Sequence, residues 1–493
     1  MEHDNIREKV TEPEFQGLLP SSAPNYILRG HGAAIHAVRL FAQNLRLVSG
    51  DADGWVVVWD MVTKRSIVSW KAHQSAVLEV KAFQFGSVTE IYTHGKDHKL
   101  CVWGFHADDE LSLSRSLPLD VARTHHTGSP PSLVHSLPVN ALNFCSFSLL
   151  FLGNWCQSRP ARHNWGPINS QGVQPRADGA PEQTGEAEKG EPKLRDESEK
   201  AQQSESSKAA GGEETANPQS VQALIESGIQ SLIAVPNTLN SGGIDIYHLP
   251  SKRRVSTIPA ETSIETGMLM AVNIFVSKSD ELYAAAAYED GHVMLFACRA
   301  DFRNQDAIQS NDADSSWKWD KTYSHKSHKQ PALSIDVGPC KTYFLSSAAD
   351  SMLVKHPIPT PSPASSSLPG AAARYSPLII EKAGPAGQES LRVRSDGLVF
   401  ATACWDDTVK VYRCQTAKKM TSLSWHKEGC HAVAFGEIET GDGASSGSLM
   451  DNPRLAGTFS LAAVQRRRAV NVQYTHWLVA GSKLGRISLW EMY

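Results

Sequence analysis

The chain lacks most features that assign a protein to a chemical class at sight. Its eight cysteines stand at 101, 145, 156, 298, 340, 404, 414 and 430, and no two form a Cys-x-x-Cys pair. Several fall in apparent strands, where Cys behaves as a small hydrophobe, so reduced thiols in an intracellular compartment are the expected state. There is no long apolar run. The longest, around Leu149-Leu150-Phe151-Leu152, is far too short to span a bilayer. The opening MEHDNIREKV is charged and has no apolar h-region, so no secretory signal is expected. Neither sign of charge prevails: the net value is −4, which gives no overall basic field toward nucleic acid or an anionic membrane. No Walker-type Gly-x4-Gly-Lys-Ser/Thr stretch occurs. What remains is the composition of a soluble globular protein, 41% hydrophobic and 20% charged over 493 residues, with twelve tryptophans.

The tryptophans lead to the pattern that is present. Residues 47–60 read LVSGDADGWVVVWD. Two β-branched runs flank a Gly/Asp turn, which is a hairpin signal. Gly30-His31 stands upstream and Trp59-Asp60 closes the unit. A Gly-His start and a Trp-Asp finish mark a WD40 repeat, four strands per propeller blade. His31, Ser49, Asp53 and Trp59 are spaced to meet in such a sheet, the acid accepting from the imidazole and the hydroxyl from the indole. Pairing them avoids roughly 1–3 kcal/mol for each buried polar group left alone. Because the set recurs, it reads as structural rather than as a His/Ser/Asp catalytic triad. His73, Thr93, Asp97 and Trp103 repeat it, with Trp103 standing 44 residues after Trp59.

Later copies are weaker. The third blade is placed at His135 with Val139-Asn140-Ala141-Leu142, then resumes at Ser231–Val235 and ends at Tyr247, with Ser241 in the acid position. The fourth has Ala286, Asp290 and Phe296; the fifth His328, Ser346, Asp350 and His356; the sixth Thr402, Asp406 and Tyr412. The seventh runs from His426 to Trp490, with Leu484 in the acid position. The chain then stops one strand short, and Tyr26-Ile27-Leu28 is the spare strand that would complete the blade and seal the ring. The expected fold is all-β: a seven-bladed WD40 β-propeller over 25–493, after a flexible arm at 1–24. Three inserts are expected: a disordered one at 157–220, rich in Glu, Lys, Gln, Gly, Ser and Pro, a Pro/Ser/Ala segment at 357–390, and a Gly/Ser loop at 436–456.

No catalytic constellation emerges. Gly443–Gly447 fits G-x-S-x-G but lies in a polar loop without strand-to-helix context. His125-His126 and His325/His328 lack the Cys or carboxylate company of a closed zinc site. No cofactor and no metal is expected. Lys252-Arg253-Arg254 and Arg466-Arg467-Arg468 read as solvated loops in preference to a nucleic-acid or import patch. Trp55 and Trp405, beside the turn acids Asp53 and Asp406, are candidate partner-binding anchors, weighed evenly against packing on a neighbouring blade.

The pieces ILRGHGAAIHAVRLF, RLVSGDADGWVVVWDMVTKR, IYTHGKDHKLCVW, SLPVNALNFCSF, LIAVPNTLNSGGIDIYHLPSKRR and GRISLWEMY resemble the fungal ASTRA-associated protein 1 family of WD-repeat proteins. The resemblance spans nearly all ordered parts and none of the inserts. LLFLGNWCQSRPARHNW departs from the family pattern, so 149–166 reads as a lineage insertion or a gene-model error. The resemblance implies a non-enzymatic nuclear scaffold, a subunit of the ASTRA assembly linked to chromatin remodelling and to co-chaperones that mature phosphatidylinositol-3-kinase-like kinases. Its partners would be other protein subunits. Alternatives are a substrate receptor for ubiquitin transfer, although no adaptor-binding domain is seen, a propeller that binds chromatin or DNA directly, and a propeller hydrolase, which lacks converging acids.

Overall fold

A computed structural model describes residues 23–120, 128–140, 145–153, 229–304, 308, 317–359, 375–438 and 461–492. Their strands, β1 to β28 in chain order, form seven four-stranded antiparallel sheets. The first blade shows how sequence makes the unit. Ile35–Phe41 (β2), Arg46–Asp51 (β3), Trp55–Asp60 (β4) and Arg65–Lys71 (β5) pair in order. Val56, Val57, Val58 and Trp59 are all buried, yet the strand keeps its period of two: Val57 and Trp59 face the seventh blade, while Val56 and Val58 face the second. A blade held between two others has no wet face, which is why its central strands read as unbroken apolar runs.

The first strands form the inner ring. They are β2, Val77–Phe85 (β6), Ser148–Phe151 (β10), Leu269–Val276 (β14), Ala332–Val337 (β18), Gln388–Val393 (β22) and Cys430–Phe435 (β26). One buried apolar cluster fills each of the seven junctions between blades. Closure is as the sequence predicts. Tyr26–Arg29 (β1) pairs with Arg486–Met492 (β28), Ile27 opposite Ser488, so the seventh sheet runs β1-β28-β27-β26, where β27 is His476–Ser482.

The third blade departs from expectation. His135 belongs to Ser132–Pro138 (β9), the outer strand of the second blade, where it pairs opposite Val102. The inner strand of the third blade is Ser148–Phe151, paired with Ser231–Pro236 (β11). Residues 149–151, read above as part of a departure, are therefore integral to the ring, and the Ser148 hydroxyl accepts from the Ile274 N–H of the next blade at 2.9 Å. The 357–390 segment also contains blade structure: Ile379–Lys382 (β21) is the outer strand of the fifth blade, and β22 begins at Gln388. Arg466–Arg468 lie not in a loop but on an exposed helix, Leu461–Tyr474 (α1). No helix among the described residues is long and apolar enough to cross a membrane. The expected 1–24 arm almost entirely, the 157–220 insert, most of the 436–456 loop and the G-x-S-x-G stretch lie outside the described residues.

The long connections share one side. They follow Lys99–His106 (β8), β10, His292–Cys298 (β16), Met352–Pro357 (β20) and β26. Each joins a first strand to a second or a third to a fourth, and in an antiparallel blade those turns leave from the same end. Connections at the other end are never longer than ten residues, the limit being 259–268. The ring thus has a long-loop face and a short-loop face.

Candidate functional site

The polar networks sit at the short-loop face. In the first blade His31 Nδ1 meets Asp51 at 2.7 Å, His31 Nε2 meets the Ser49 hydroxyl at 2.7 Å, and Trp59 Nε1 donates to that hydroxyl at 2.9 Å. The acid is Asp51, not the expected Asp53. Asp51 ends β3 wholly buried, and its second oxygen accepts from the N–H groups of Asp53 and Trp55 at 3.0 and 2.9 Å, whereas the Asp53 side chain is exposed. In the second blade the acid lies four residues past the hydroxyl. His73 bridges Asp97 at 2.9 Å and Thr93 at 2.8 Å, and Trp103 donates to Thr93 at 3.0 Å.

The degraded copies are rebuilt with other residues. In the fifth blade His328 reaches Asp350 and Ser346 at 3.2 and 2.8 Å. His356 replaces the indole at 2.8 Å from Ser346, and its other nitrogen meets the Tyr323 hydroxyl at 2.9 Å. In the seventh blade the hydroxyl moves across the ladder to Ser488, which pairs with Ala480; it meets His426 at 2.8 Å and accepts from Trp490 at 2.9 Å. In the sixth, Lys410 takes the histidine's part and donates to Asp406 at 2.7 Å. In the third, Asp245 accepts from Asn237 and Thr257, both at 2.8 Å. Ser49, Thr93, Ser346 and Ser488 are fully buried, so these triad-like sets offer no hydroxyl to a substrate.

Turn glycines fit one blade to the next. Gly54 has φ +88, and a Cβ there would lie 2.0 Å from the carbonyl oxygen of His73; Gly485, at φ +70, approaches that of His31 in the same way. Gly291 and His328 repeat the device. The candidate anchors differ in their settings. Trp55 opens β4 half-buried. Trp405 lies in the turn before Thr408–Arg413 (β24) and is 46% exposed. Its ring covers Gly387, its backbone passes close to Gly429, and its Nε1 donates to Glu389 at 3.0 Å.

A family model described as WD domain, G-beta repeat matches residues 22–60. The chain is also similar over nearly its whole length to relatives called ASTRA-associated protein 1. It is 46% identical to the one from Aspergillus flavus over 97% of this chain and 99% of that one. It is 46% identical to the Aspergillus niger protein over 96% and 98%, and 26% identical to the Schizosaccharomyces pombe protein over 84% and 93%. The chain belongs to the ASTRA-associated protein 1 family.

In this family member the channel has two distinct mouths. At the short-loop end the ladder bulges at the second residue of six inner strands. The extra residue is Leu78, Met270 and Leu333 in blades two, four and five, and His36, Glu389 and His431 in blades one, six and seven. The polar three touch. His431 Nδ1 makes a short hydrogen bond with Glu389, His36 Nδ1 lies 3.8 Å from the other carboxylate oxygen, and the imidazole centroids are 5.2 Å apart. Burial pushes the Glu389 carboxyl up, but the facing imidazoles of His36 and His431 and the Trp405 indole N–H outweigh it and hold it at about 2. Nearer the long-loop end lies a cavity of about 160 Å³, bordered by Arg39, Lys81 and Asp336. There Arg392 of blade six donates across the channel to Glu79 of blade two at 2.8 Å. Burial brings the Lys81 ammonium down to about 8 against the pull of Glu79.

Sequence inspection missed Asp51, Ser488, Lys410 and the His36/Glu389/His431 trio. A usable signal existed for the last: aligning the blades puts all three at one repeat position.

Proposed function

We propose that the chain is a non-enzymatic scaffold subunit of a nuclear ASTRA-type assembly that serves chromatin remodelling and the maturation of phosphatidylinositol-3-kinase-like kinases. The observation that carries this is the near full-length likeness to proteins named for association with ASTRA. The physical basis is a closed ring whose sealed hydrogen-bond networks fix its surface, so that partners are held at set positions by geometry rather than by chemistry. The short-loop face is assigned as the docking face. Its connections are short, and it presents Trp405 on a supported ring, the kind of rigid aromatic that anchors protein interfaces.

The test is affinity purification of the tagged protein from its own cells. Wild type should retain other ASTRA-type subunits. The double substitution Trp55→Ala, Trp405→Ala should lose at least one of them while melting within a few degrees of wild type. Full retention by the double variant would reject the docking face. Absence of all such subunits from the wild-type purification would reject the scaffold role.

A further inference from the structure

We propose that His36, Glu389 and His431 form a binding site for one divalent first-row transition ion of the zinc type, clipping blades six, seven and one together at the channel mouth. Among the described residues this is the one trio of His and acid side chains whose donor atoms all lie within 4.8 Å of one another. Two imidazole nitrogens and one carboxylate oxygen are a recurrent donor set for such ions, and three protein ligands leave a fourth position open.

The geometry requires little rearrangement. Ligation at about 2.1 Å in a tetrahedral arrangement sets donors roughly 3.4 Å apart. His36 Nδ1 stands 3.8 Å from Glu389 Oε1, and His431 Nδ1 already touches Oε2, so an ion would enter by parting one contact and tightening the other. Both histidines present Nδ1 toward the carboxylate. Support around the ligands is in place: Trp405 Nε1 donates to Glu389 at 3.0 Å, the outer-shell bond that fixes a ligating carboxylate. Access is open as well. The three side chains keep 22%, 30% and 16% of their surface exposed.

The position explains what an ion would accomplish. Blades seven and one meet where β1 closes the ring, and the trio spans that junction from the inner side while β1 and β28 close it further out. The remaining coordination position faces the mouth, where water or a partner's side chain would complete the shell.

The experiment uses the full chain stripped of metal with a chelator and dialysed. Titration with cobalt(II) should give the visible absorption bands of four- or five-coordinate cobalt, saturating at one ion per chain, and zinc should displace them. Added zinc should raise the melting temperature, as any ligand of the native state does. His36→Ala with His431→Ala should abolish the bands. Trp405→Phe keeps the ligands but loses the supporting bond, and should weaken zinc binding roughly 10–100-fold; it also serves if the double variant fails to fold. His98→Ala, at an exposed turn, should bind like wild type. Absence of saturable bands, or bands that persist unchanged in the double variant and in Trp405→Phe, would overturn the proposal. A bare His–Glu–His hydrogen-bonded clasp would give the first of those results.

Discussion

At the scale of single residues, the acids of the first blade make the sharpest contrast. Asp51 and Asp53 both fit a WD repeat on paper, and the spacing seen in the second and fifth blades favours Asp53. Burial decides otherwise. Asp51 is enclosed and accepts three hydrogen bonds, from His31 and from two turn amides. Asp51→Ala should therefore destabilise by roughly 2–3 kcal/mol, since it leaves buried donors unpaired, while Asp53→Ala should stay within about 0.5 kcal/mol, as exposed substitutions do. Chemical denaturation of the two variants checks this, and equal losses would return the role to Asp53. The distinction could not be read from spacing because either carboxylate can reach the imidazole. Which one does so depends on how the turn seats its own amides.

At the scale of elements, the seam concentrates the risk. Leu28 is only 2% exposed and packs with Ile487 and Leu489, and β1 covers the edge of β28. Removing residues 1–29 should uncover that edge and its apolar border, lowering the melting point and producing concentration-dependent self-association. Sedimentation velocity over a range of concentrations would show it, and a stable monomer would contradict the role assigned to β1. The seam was legible in the sequence because a blade count one strand short has one natural remedy. The third blade was not. Val139-Asn140 follows a histidine as an inner strand should, yet His135 sits in an outer strand because the connection after β8 is long and displaces the pattern by a strand. Helix α1 was hidden for a related reason. It fully buries no residue, so it carries no apolar stripe to reveal it; it is held by Val472 packed on the cluster between blades seven and one, by Asn44 donating to the Gln473 carbonyl at 3.0 Å and by Trp477 donating to that of Val472 at 2.9 Å.

At the scale of the whole molecule, burial of imidazoles links folding to pH. Burial lowers His94 to about 3 and His426 to about 4, and it also lowers His73 and sets His356 well below the usual range. Below about pH 6.5, the ordinary imidazole value, the unfolded chain takes up protons that the folded ring still refuses. The unfolded state then binds more protons, so stability falls as pH falls, and it goes on falling until the folded imidazoles titrate too. Glu389 acts lower: its ordinary value is 4.5 and its folded value about 2, so what it contributes above pH 4.5 is lost only below that. A melting temperature that declines steadily from pH 7 to 5 is expected, and His94→Leu, removing an imidazole without hydrogen-bond partners on either nitrogen, should flatten the slope. A pH-independent melt across that range would refute the linkage. The ring itself was largely readable because each repeat advertises its central hairpin. The channel mouth was not read, because His36 stands more than 350 positions before Glu389 and His431 and only an alignment of the blades puts the three at one repeat position.

The segregation of long connections to one side has a practical corollary for anyone handling this protein. The strands that flank the β10–β11 and β26–β27 connections stop at the end of the ring opposite the Trp405 turn, so fluorophores, purification handles or a reporter domain spliced into either connection would be joined to the ring at that end. Attachment points at that end lie away from the short-loop face proposed for partner docking.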